Sequence, residues 1–215
     1  MIQQNISELK KELGSSKLVV VSKYRSLEQL NEVYESGHRI FGENRVQEMR
    51  DKHEALPKDI EWHMIGHLQK NKVKYIAQYV ALIHSVDSSS LLKEVNKQAA
   101  RHDRVIDVLL QVHIAQEESK FGLSDQELME LIKSDMLAEW PHVRVIGLMG
   151  MATNTSDNEQ VKKEFLHLKS LFEHIGSLGL EHVQMKELSM GMSGDYPIAV
   201  ECGATIVRIG SRVFA

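Results

Sequence analysis

Short runs of β-branched and apolar residues alternate with segments of helical apolar spacing along the whole chain. A polar turn follows each run, and the next segment places apolar residues every three or four positions, as at Leu27, Leu30 and Val33. This alternation predicts strands that are each followed by a helix. The predicted strands span residues 18–22, 39–42, 62–66, 80–86, 105–114, 143–151, 183–190 and 204–210.

Eight such units along 215 residues predict an α/β fold. Several runs are continuously apolar, which is typical of parallel strands covered on both faces. Units of about 27 residues each fit a (β/α)8 barrel of the TIM type better than an open sheet, which more often has about five or six strands. An extra amphipathic helix within residues 1–14 precedes the barrel, and we expect it to close the barrel's N-terminal end. We therefore predict a single barrel domain over residues 1–215.

Composition narrows the class of protein and its location. Hydrophobic residues make up 42% of the chain and charged residues 26%, which excludes an intrinsically disordered protein. The single cysteine, the lack of a secretory signal and the lack of an apolar run of about 20 residues favour a cytoplasmic protein with no membrane contact. The net charge of −4, with both signs scattered, argues against a nucleic-acid partner.

Lys23 is the first candidate for chemistry, because it directly follows the first predicted strand. In a barrel of this type, reactive residues lie at the C-terminal ends of strands and in the loops that follow. Desolvation and cationic neighbours there would lower the pKa of the lysine and leave a nucleophilic amine. From this position alone, a lysine that leaves the strand for solvent is the alternative.

The end of the chain combines a Gly-Ser step with an arginine inside an apolar run. Gly210 and Ser211 follow the last strand and offer backbone N–H groups and a hydroxyl at the usual phosphate site of this fold. Arg208 lies two residues before Gly210, so a regular strand would bury its guanidinium, which then needs a partner. The alternative is a structural ion pair between Arg208 and a carboxylate of a neighbouring strand.

The loop after the seventh strand is a second candidate for anion binding. Ser189, Gly191, Met192 and Ser193 lie in a segment whose N–H groups can converge on an anion at a helix N-terminus. Such Gly/Ser clusters are also common in ordinary turns. The adjacent Gly-Ser step at the end of the chain favours the phosphate interpretation.

Two further places have weaker signals. After the second strand, Glu43 and Asn44 are positioned to reach the barrel mouth, where Asn44 would offer a neutral donor and acceptor; the alternative is an ordinary helix cap. His63 and His67 have the spacing of a helical zinc site, but Gly66 and the strand-like context break the helix that this spacing needs. We therefore predict no metal site.

Phosphate donors after the last two strands, a buried arginine and a lysine across the rim together suggest a phosphorylated aldehyde held as a Schiff base. Pyridoxal 5'-phosphate (PLP) is the commonest cofactor of that description.

Five stretches then identify a family, and they span nearly the whole chain in that family's order. They are VVVSK at 19–23, FGENRVQE at 41–48, WHMIGHLQKNK at 62–72, GLMGMA at 147–152 and LSMGMSGDYPIAVECGATIVRIGS at 188–211. With these stretches the chain resembles the pyridoxal phosphate homeostasis proteins, which are similar to the barrel domain of alanine racemase standing alone.

The resemblance implies a role for each candidate. Lys23 would carry PLP covalently, Arg208 would face the pyridine nitrogen, and Asn44 would lie near the 3-hydroxyl side of the ring. Ser193, Gly210 and Ser211 would hold the phosphate. The full predicted cofactor-binding set is Lys23, Asn44, Ser189, Gly191, Met192, Ser193, Arg208, Gly210 and Ser211.

The predicted function is non-catalytic PLP binding in vitamin B6 homeostasis. A cationic donor beside the ring nitrogen disfavours its protonation and makes the ring a weak electron sink. Racemases of the related fold take a second base from a separate domain. Here four residues follow Ser211, and we expect Tyr24 to point away from Lys23. We accordingly predict a monomer that delivers PLP to apo-enzymes.

Two alternatives from other classes remain open. One is a PLP-dependent amino-acid racemase or another small PLP enzyme. The other is a cofactor-free barrel isomerase that acts on sugar phosphates, with Lys23 as its base or Schiff-base residue.

Overall fold

The computed structural model describes residues 1–117 and 121–215 and contains a closed barrel of eight parallel strands. Each strand pairs with the next one in the sequence, and the eighth closes on the first. The predicted barrel and its eight strands are thereby confirmed. The strands are Lys17–Val21 (β1), Ile40–Glu43 (β2), Glu61–Met64 (β3), Leu82–Val86 (β4), Ile106–Val112 (β5), Val143–Gly150 (β6), Val183–Ser189 (β7) and Ile206–Ile209 (β8).

Helices surround the barrel and connect its strands. They are Ile2–Leu13 (α1), Leu27–Glu35 (α2), Val46–Ala55 (α3), Ser89–Ala100 (α4), Asp125–Lys133 (α5), Asn158–Ser177 (α6), Tyr196–Glu201 (α7) and Ser211–Phe214 (α8). Short 3₁₀ segments at Lys70–Tyr75 and Asp135–Glu139 complete the connections before β4 and β6. Within residues 1–117 and 121–215, none of the helices is both long enough and apolar enough to span a bilayer.

Apolar side chains form two layers, one inside the barrel and one between the strands and the helices. Neighbouring residues of β1 alternate between these layers, because successive side chains of a strand point to opposite faces. Val19 belongs to the interior cluster with Leu82 and Ile206, whereas Leu18 and Val20 belong to the outer cluster. Side chains that continue the interior set beyond each strand therefore face the C-terminal mouth of the barrel.

The leading helix α1 lies in the outer ring. Its buried residues Ile6, Leu9 and Leu13 join the outer apolar cluster, and the helix packs against α2, α7, α8 and β1. The Asn5 side chain also donates to the carbonyls of Val213 and Ala215. The expectation that this helix closes the N-terminal end of the barrel is therefore wrong. Since α8 has only four residues, the ring leaves room for α1 beside it.

Candidate functional site

A cavity of about 590 Å³ opens at the C-terminal end of the barrel. This volume lies within the range of about 300–1,000 Å³ that is typical of small-molecule sites. Seven of the nine predicted cofactor-binding residues line it, although they come from four separate strand ends: Lys23, Asn44, Met192, Ser193, Arg208, Gly210 and Ser211. Six further residues complete the lining: Val21, Tyr24, Arg25, Ile65, Met151 and Gly194.

Ser189 and Gly191, the other two predicted residues, lie outside this lining and support it. Ser189 is fully buried at the end of β7 and accepts a hydrogen bond from Arg208 Nη1 at 2.5 Å. Gly191 has a φ of +91°, and a Cβ atom there would lie 2.5 Å from the Cβ of Ala199. Its carbonyl accepts from the backbone N–H of Arg208. A glycine is needed at this position for backbone conformation and close packing.

Arg208 lies in the barrel interior and is only 4% exposed. Its guanidinium donates to the Oγ of Ser189 and to the carbonyl of Gly150, so neither of these acceptors is a carboxylate. Burial lowers the pKa of Arg208 to about 10, and the charge of Asp195 opposes that shift. Arg208 is therefore still cationic at neutral pH. A guanidinium has more N–H donors than these two bonds use, and the side chain lines the cavity.

Lys23 and Tyr24 occupy a turn directly after β1. The backbone N–H of Arg25 donates to the Ser22 carbonyl, and Tyr24 takes a φ of 60°, which is uncommon for a residue other than glycine. Tyr24 is 73% exposed and lines the cavity together with Lys23. The expectation that Tyr24 points away from Lys23 rested on strand alternation continuing past β1, and this premise is wrong, because β1 ends at Val21.

A charged cluster from β2 and α3 holds this turn from behind. Lys52 Nζ donates to the Ser22 carbonyl at 2.8 Å and to Glu43 Oε1 at 2.5 Å. Ser22 Oγ also donates to Glu43, at 2.7 Å. One turn earlier on α3, Glu48 accepts from the backbone N–H of Tyr24 at 3.2 Å. The backbone on both sides of Lys23 is thus fixed by side chains of one helix.

Glu43 therefore does not reach the barrel mouth as predicted. Its side chain is fully buried and faces α3, where burial raises the pKa of its carboxyl against the effect of Lys52. Asn44, the next residue, points the other way and lines the cavity. The helix-cap alternative for Asn44 does not hold, since Arg45 is the N-cap residue of α3.

Hydroxyl and backbone groups from two neighbouring loops meet at the opposite side of the cavity. Ser193 Oγ accepts from the backbone N–H of Gly210 at 3.3 Å and so joins the loop after β7 to the loop after β8. The Met192 N–H donates to Asp195 Oδ1 at 2.6 Å and fixes the tip of the first loop. The N–H groups of Gly210 and Met192 are used in these bonds, so the Ser193 hydroxyl and the exposed Ser211 are the groups that offer hydrogen-bond donors to an anion.

Two histidines continue the polar contacts of Arg208 into the barrel. His84 Nδ1 lies 2.9 Å from Ser189 Oγ, and His84 Nε2 lies 3.0 Å from His63 Nδ1. Burial lowers the pKa of His63 to about 3 and holds that of His84 well below its ordinary value. Both rings are therefore neutral at physiological pH. His67, the partner of His63 in the rejected zinc spacing, lies elsewhere and contacts Asp87 and Phe121.

Some of the site residues outside the predicted set could have been found in the sequence. Tyr24 and Gly194 are direct neighbours of predicted site residues, and Ile65 and Met151 lie at the C-terminal ends of two predicted strands, which face the mouth. His84 gives a weaker signal, since it and Ser85 are polar residues within an apolar run.

Comparisons with known proteins agree with this geometry. The family of the alanine racemase N-terminal domain matches residues 1–215. The chain belongs to this family. A curated relative, the pyridoxal phosphate homeostasis protein of Aquifex aeolicus (strain VF5), is 42% identical over 200 residues, which cover 93% of this chain and 86% of the relative. The resemblance to pyridoxal phosphate homeostasis proteins that the sequence motifs indicate is confirmed.

Solved structures of a similar protein superpose over the whole chain. Two structures of PipY from Synechococcus elongatus PCC7942 are each 32% identical to this chain and cover 100% of both chains. The one without PLP has a TM-score of 0.94. The one with PLP bound has a TM-score of 0.90.

Proposed function

We propose that this protein binds PLP in the cavity and acts in PLP homeostasis in the cytoplasm. The observation that carries the proposal is the presence, in one cavity, of an amine, a buried guanidinium and hydroxyl donors from two loops. The names of the curated relatives and the PLP bound to PipY support the same function.

The residues present fit the chemical groups of PLP. Ser193 and Ser211 offer hydroxyls to a phosphate, and Arg208 offers N–H groups to a pyridine nitrogen. Val21, Ile65 and Met151 give an apolar wall for a flat ring. When bound, PLP supplies an aldehyde, whose carbon would join Lys23 Nζ as a Schiff base with release of one water molecule.

We further propose that the protein holds PLP without catalysing amino-acid chemistry. Most such chemistry needs a ring that withdraws electrons, and ring protonation strengthens that withdrawal. Arg208 remains cationic beside the predicted nitrogen position and hydrogen-bonds to neutral acceptors, so it opposes protonation there. A monomeric state and transfer of PLP to apo-enzymes stay predictions.

A small PLP-dependent enzyme is the second candidate, and one observation favours it. Tyr24 lines the cavity next to Lys23 in the sequence, and a tyrosine hydroxyl is a group that can serve as a second acid or base. Sustained racemisation of any amino acid by the PLP-loaded protein, lost in Tyr24→Phe, would support this candidate over the non-catalytic one.

The test of PLP binding combines spectroscopy with mass mapping. Purified protein mixed with PLP should gain the visible absorption band of a Schiff base. Borohydride reduction should then fix one pyridoxyl group on the peptide that contains Lys23. Lys23→Ala should lose both signals, whereas Lys133→Ala, which changes an exposed lysine of α5, should keep them. A band that survives in Lys23→Ala contradicts the lysine assignment. No band in the wild type contradicts PLP binding and favours the cofactor-free isomerase.

A further inference from the structure

A continuous chain of hydrogen bonds runs from Arg208 into the barrel interior. It passes from the guanidinium to Ser189 Oγ, from Ser189 to His84, and from His84 to His63, with separations of 2.5, 2.9 and 3.0 Å. Ser189 and His84 are fully buried, and His63 is 6% exposed. These groups come from four different strands, so the fold has brought together a polar path inside an apolar barrel.

The direction of each hydrogen bond follows from the first member of the chain. Because a guanidinium has no acceptor, Ser189 Oγ must accept from Arg208. Over the part of the chain that the structure describes, the remaining partner of Ser189 Oγ is His84 Nδ1. The hydroxyl hydrogen of Ser189 is therefore assigned to that bond. A neutral His84 then carries its hydrogen on Nε2 and donates it to His63 Nδ1. Every donor in the path points away from Arg208.

This orientation gives Arg208 a neutral hydrogen-bond acceptor, and the carboxylate that acts on its charge, Asp195, lies in the loop after β7. A buried arginine usually has a carboxylate partner, and such a pair would cancel much of its field within the cavity. Here the second acceptor, the Gly150 carbonyl, is also neutral. Arg208 is thus held in place while its charge and its unused N–H groups remain available to a ligand.

We propose that Ser189 and His84 are positioning residues for Arg208, which keep its guanidinium cationic and directed at the ring nitrogen of PLP. The inference rests on the proposed function and specifies how that function is built. It gives a functional role to Ser189 and His84, which are buried and do not line the cavity. It also implies that the charge at position 84, rather than its size alone, controls the protonation of the ring nitrogen.

His84→Asn and His84→Asp form a matched pair for the test, since their side chains have the same shape and differ in charge. An amide oxygen at this position can still accept from Ser189, so His84→Asn should bind PLP within about twofold of the wild type. His84→Asp should shift the ¹⁵N resonance of ring-labelled PLP towards that of a protonated pyridine, because its carboxylate offsets the guanidinium charge.

Two further variants keep the test independent of how well a buried aspartate is tolerated. Ser189→Ala removes the acceptor with a small change in volume and should weaken PLP binding about tenfold, since one N–H of Arg208 loses its partner. Met149→Leu, which changes an interior residue of similar burial, should leave both binding and the resonance unchanged.

The outcomes separate this inference from the proposed function. A wild-type protein that takes up no PLP overturns both. If the wild type binds PLP and Ser189→Ala matches Met149→Leu in affinity, or a folded His84→Asp leaves the resonance unmoved, the inference alone is overturned. A purely structural role would lower the melting temperature of the Ser189 and His84 variants without moving the resonance.

Discussion

Lys23 and Arg208 line the same cavity, but the groups that fix them differ in charge and in layer. The turn that contains Lys23 is held by Glu43, Lys52 and Glu48, which lie between the barrel and α3. Arg208 is held inside the barrel by Ser189 Oγ and the Gly150 carbonyl, which are neutral. On one side charges are paired with each other, and on the other side a charge has neutral partners.

This difference between the two sides separates charges that stabilise the fold from a charge that can act on a ligand. Lys52 and Glu43 Oε1 pair within the protein, so they fix the backbone beside Lys23 and add little field to the cavity. Arg208 meets no such partner in its own hydrogen bonds, and its charge acts on the cavity. The paired charges of Lys52 and Glu43 and the charge of Arg208, whose hydrogen-bond acceptors are neutral, thus lie on opposite sides of the barrel wall.

The largest effect on the unfolding free energy is expected from removing a charge from the cluster of Glu43, Glu48 and Lys52. Lys52→Met would leave Glu43 buried without its cation, and removal of one partner of a buried pair costs about 3–5 kcal/mol of unfolding free energy. Urea unfolding would measure this loss. Lys93→Met, at an exposed position of α4, is the control and should change the unfolding free energy by less than about 0.5 kcal/mol. A loss below about 1 kcal/mol in Lys52→Met would show that the cluster does not depend on its charges.

The buried histidines behind Arg208 are expected to make the unfolding free energy depend on pH. Burial holds the pKa of His63 near 3 and that of His84 well below the ordinary value of 6.5. In the unfolded chain both rings gain protons as the pH falls below about 6.5, whereas in the fold they do not. Their neutral state therefore contributes stability that is fully present above that pH and is lost as the pH falls towards 3.

Removing one of these histidines should make that loss shallower. His84→Asn should reduce the slope of unfolding free energy against pH by up to about 1.4 kcal/mol per pH unit near pH 5, which corresponds to one proton. Urea unfolding at several pH values would measure the slope. His182→Asn, which changes an exposed histidine, should keep the wild-type slope. Equal slopes in the two variants would show that His84 is already protonated in the folded protein.

The two sides also differ in how well the sequence predicts them. The strands were predictable because parallel strands covered on both faces need continuous apolar runs, and Lys23 and Arg208 were predictable because they end or interrupt such runs. The backbone conformation of Tyr24 was not predictable, since it depends on where β1 stops and on a left-handed turn. His84 was not, because its partner Ser189 lies 105 residues away in the sequence.

The same limit explains the other corrections. Glu43 follows the alternation of β2 and so faces α3, but only the packing of Lys52 against it shows that a buried carboxylate is tolerated there. Helix α1 has the expected amphipathic pattern, yet its place in the ring depends on the four-residue length of α8. Local pattern predicts which residues are apolar or polar, whereas the partner of each buried polar group depends on tertiary contacts.

The smallest effect is expected at the exposed edge of the charged cluster, and it separates burial from charge as the source of stability. Glu43→Gln and Glu48→Gln are the same substitution on two carboxylates that both contact Lys52. Glu43 is fully buried and Glu48 keeps 25% of its side chain exposed. Glu48→Gln still offers an amide oxygen to the Tyr24 N–H, and water screens the lost charge, so the unfolding free energy should fall by less than about 1 kcal/mol.

Glu43→Gln should cost more, about 3 kcal/mol, because it leaves Lys52 cationic in the buried layer with only its weaker contacts. Urea unfolding of the two variants side by side would measure the difference. Glu48→Gln should also keep the PLP absorption band of the wild type, since the Ser22 carbonyl still holds the turn. Equal losses in the two variants would contradict the view that burial sets the strength of this cluster. In that case Glu43 and Glu48 would stabilise the fold equally, and the contact of Glu48 with the exposed backbone of the turn would matter as much as the buried ion pair.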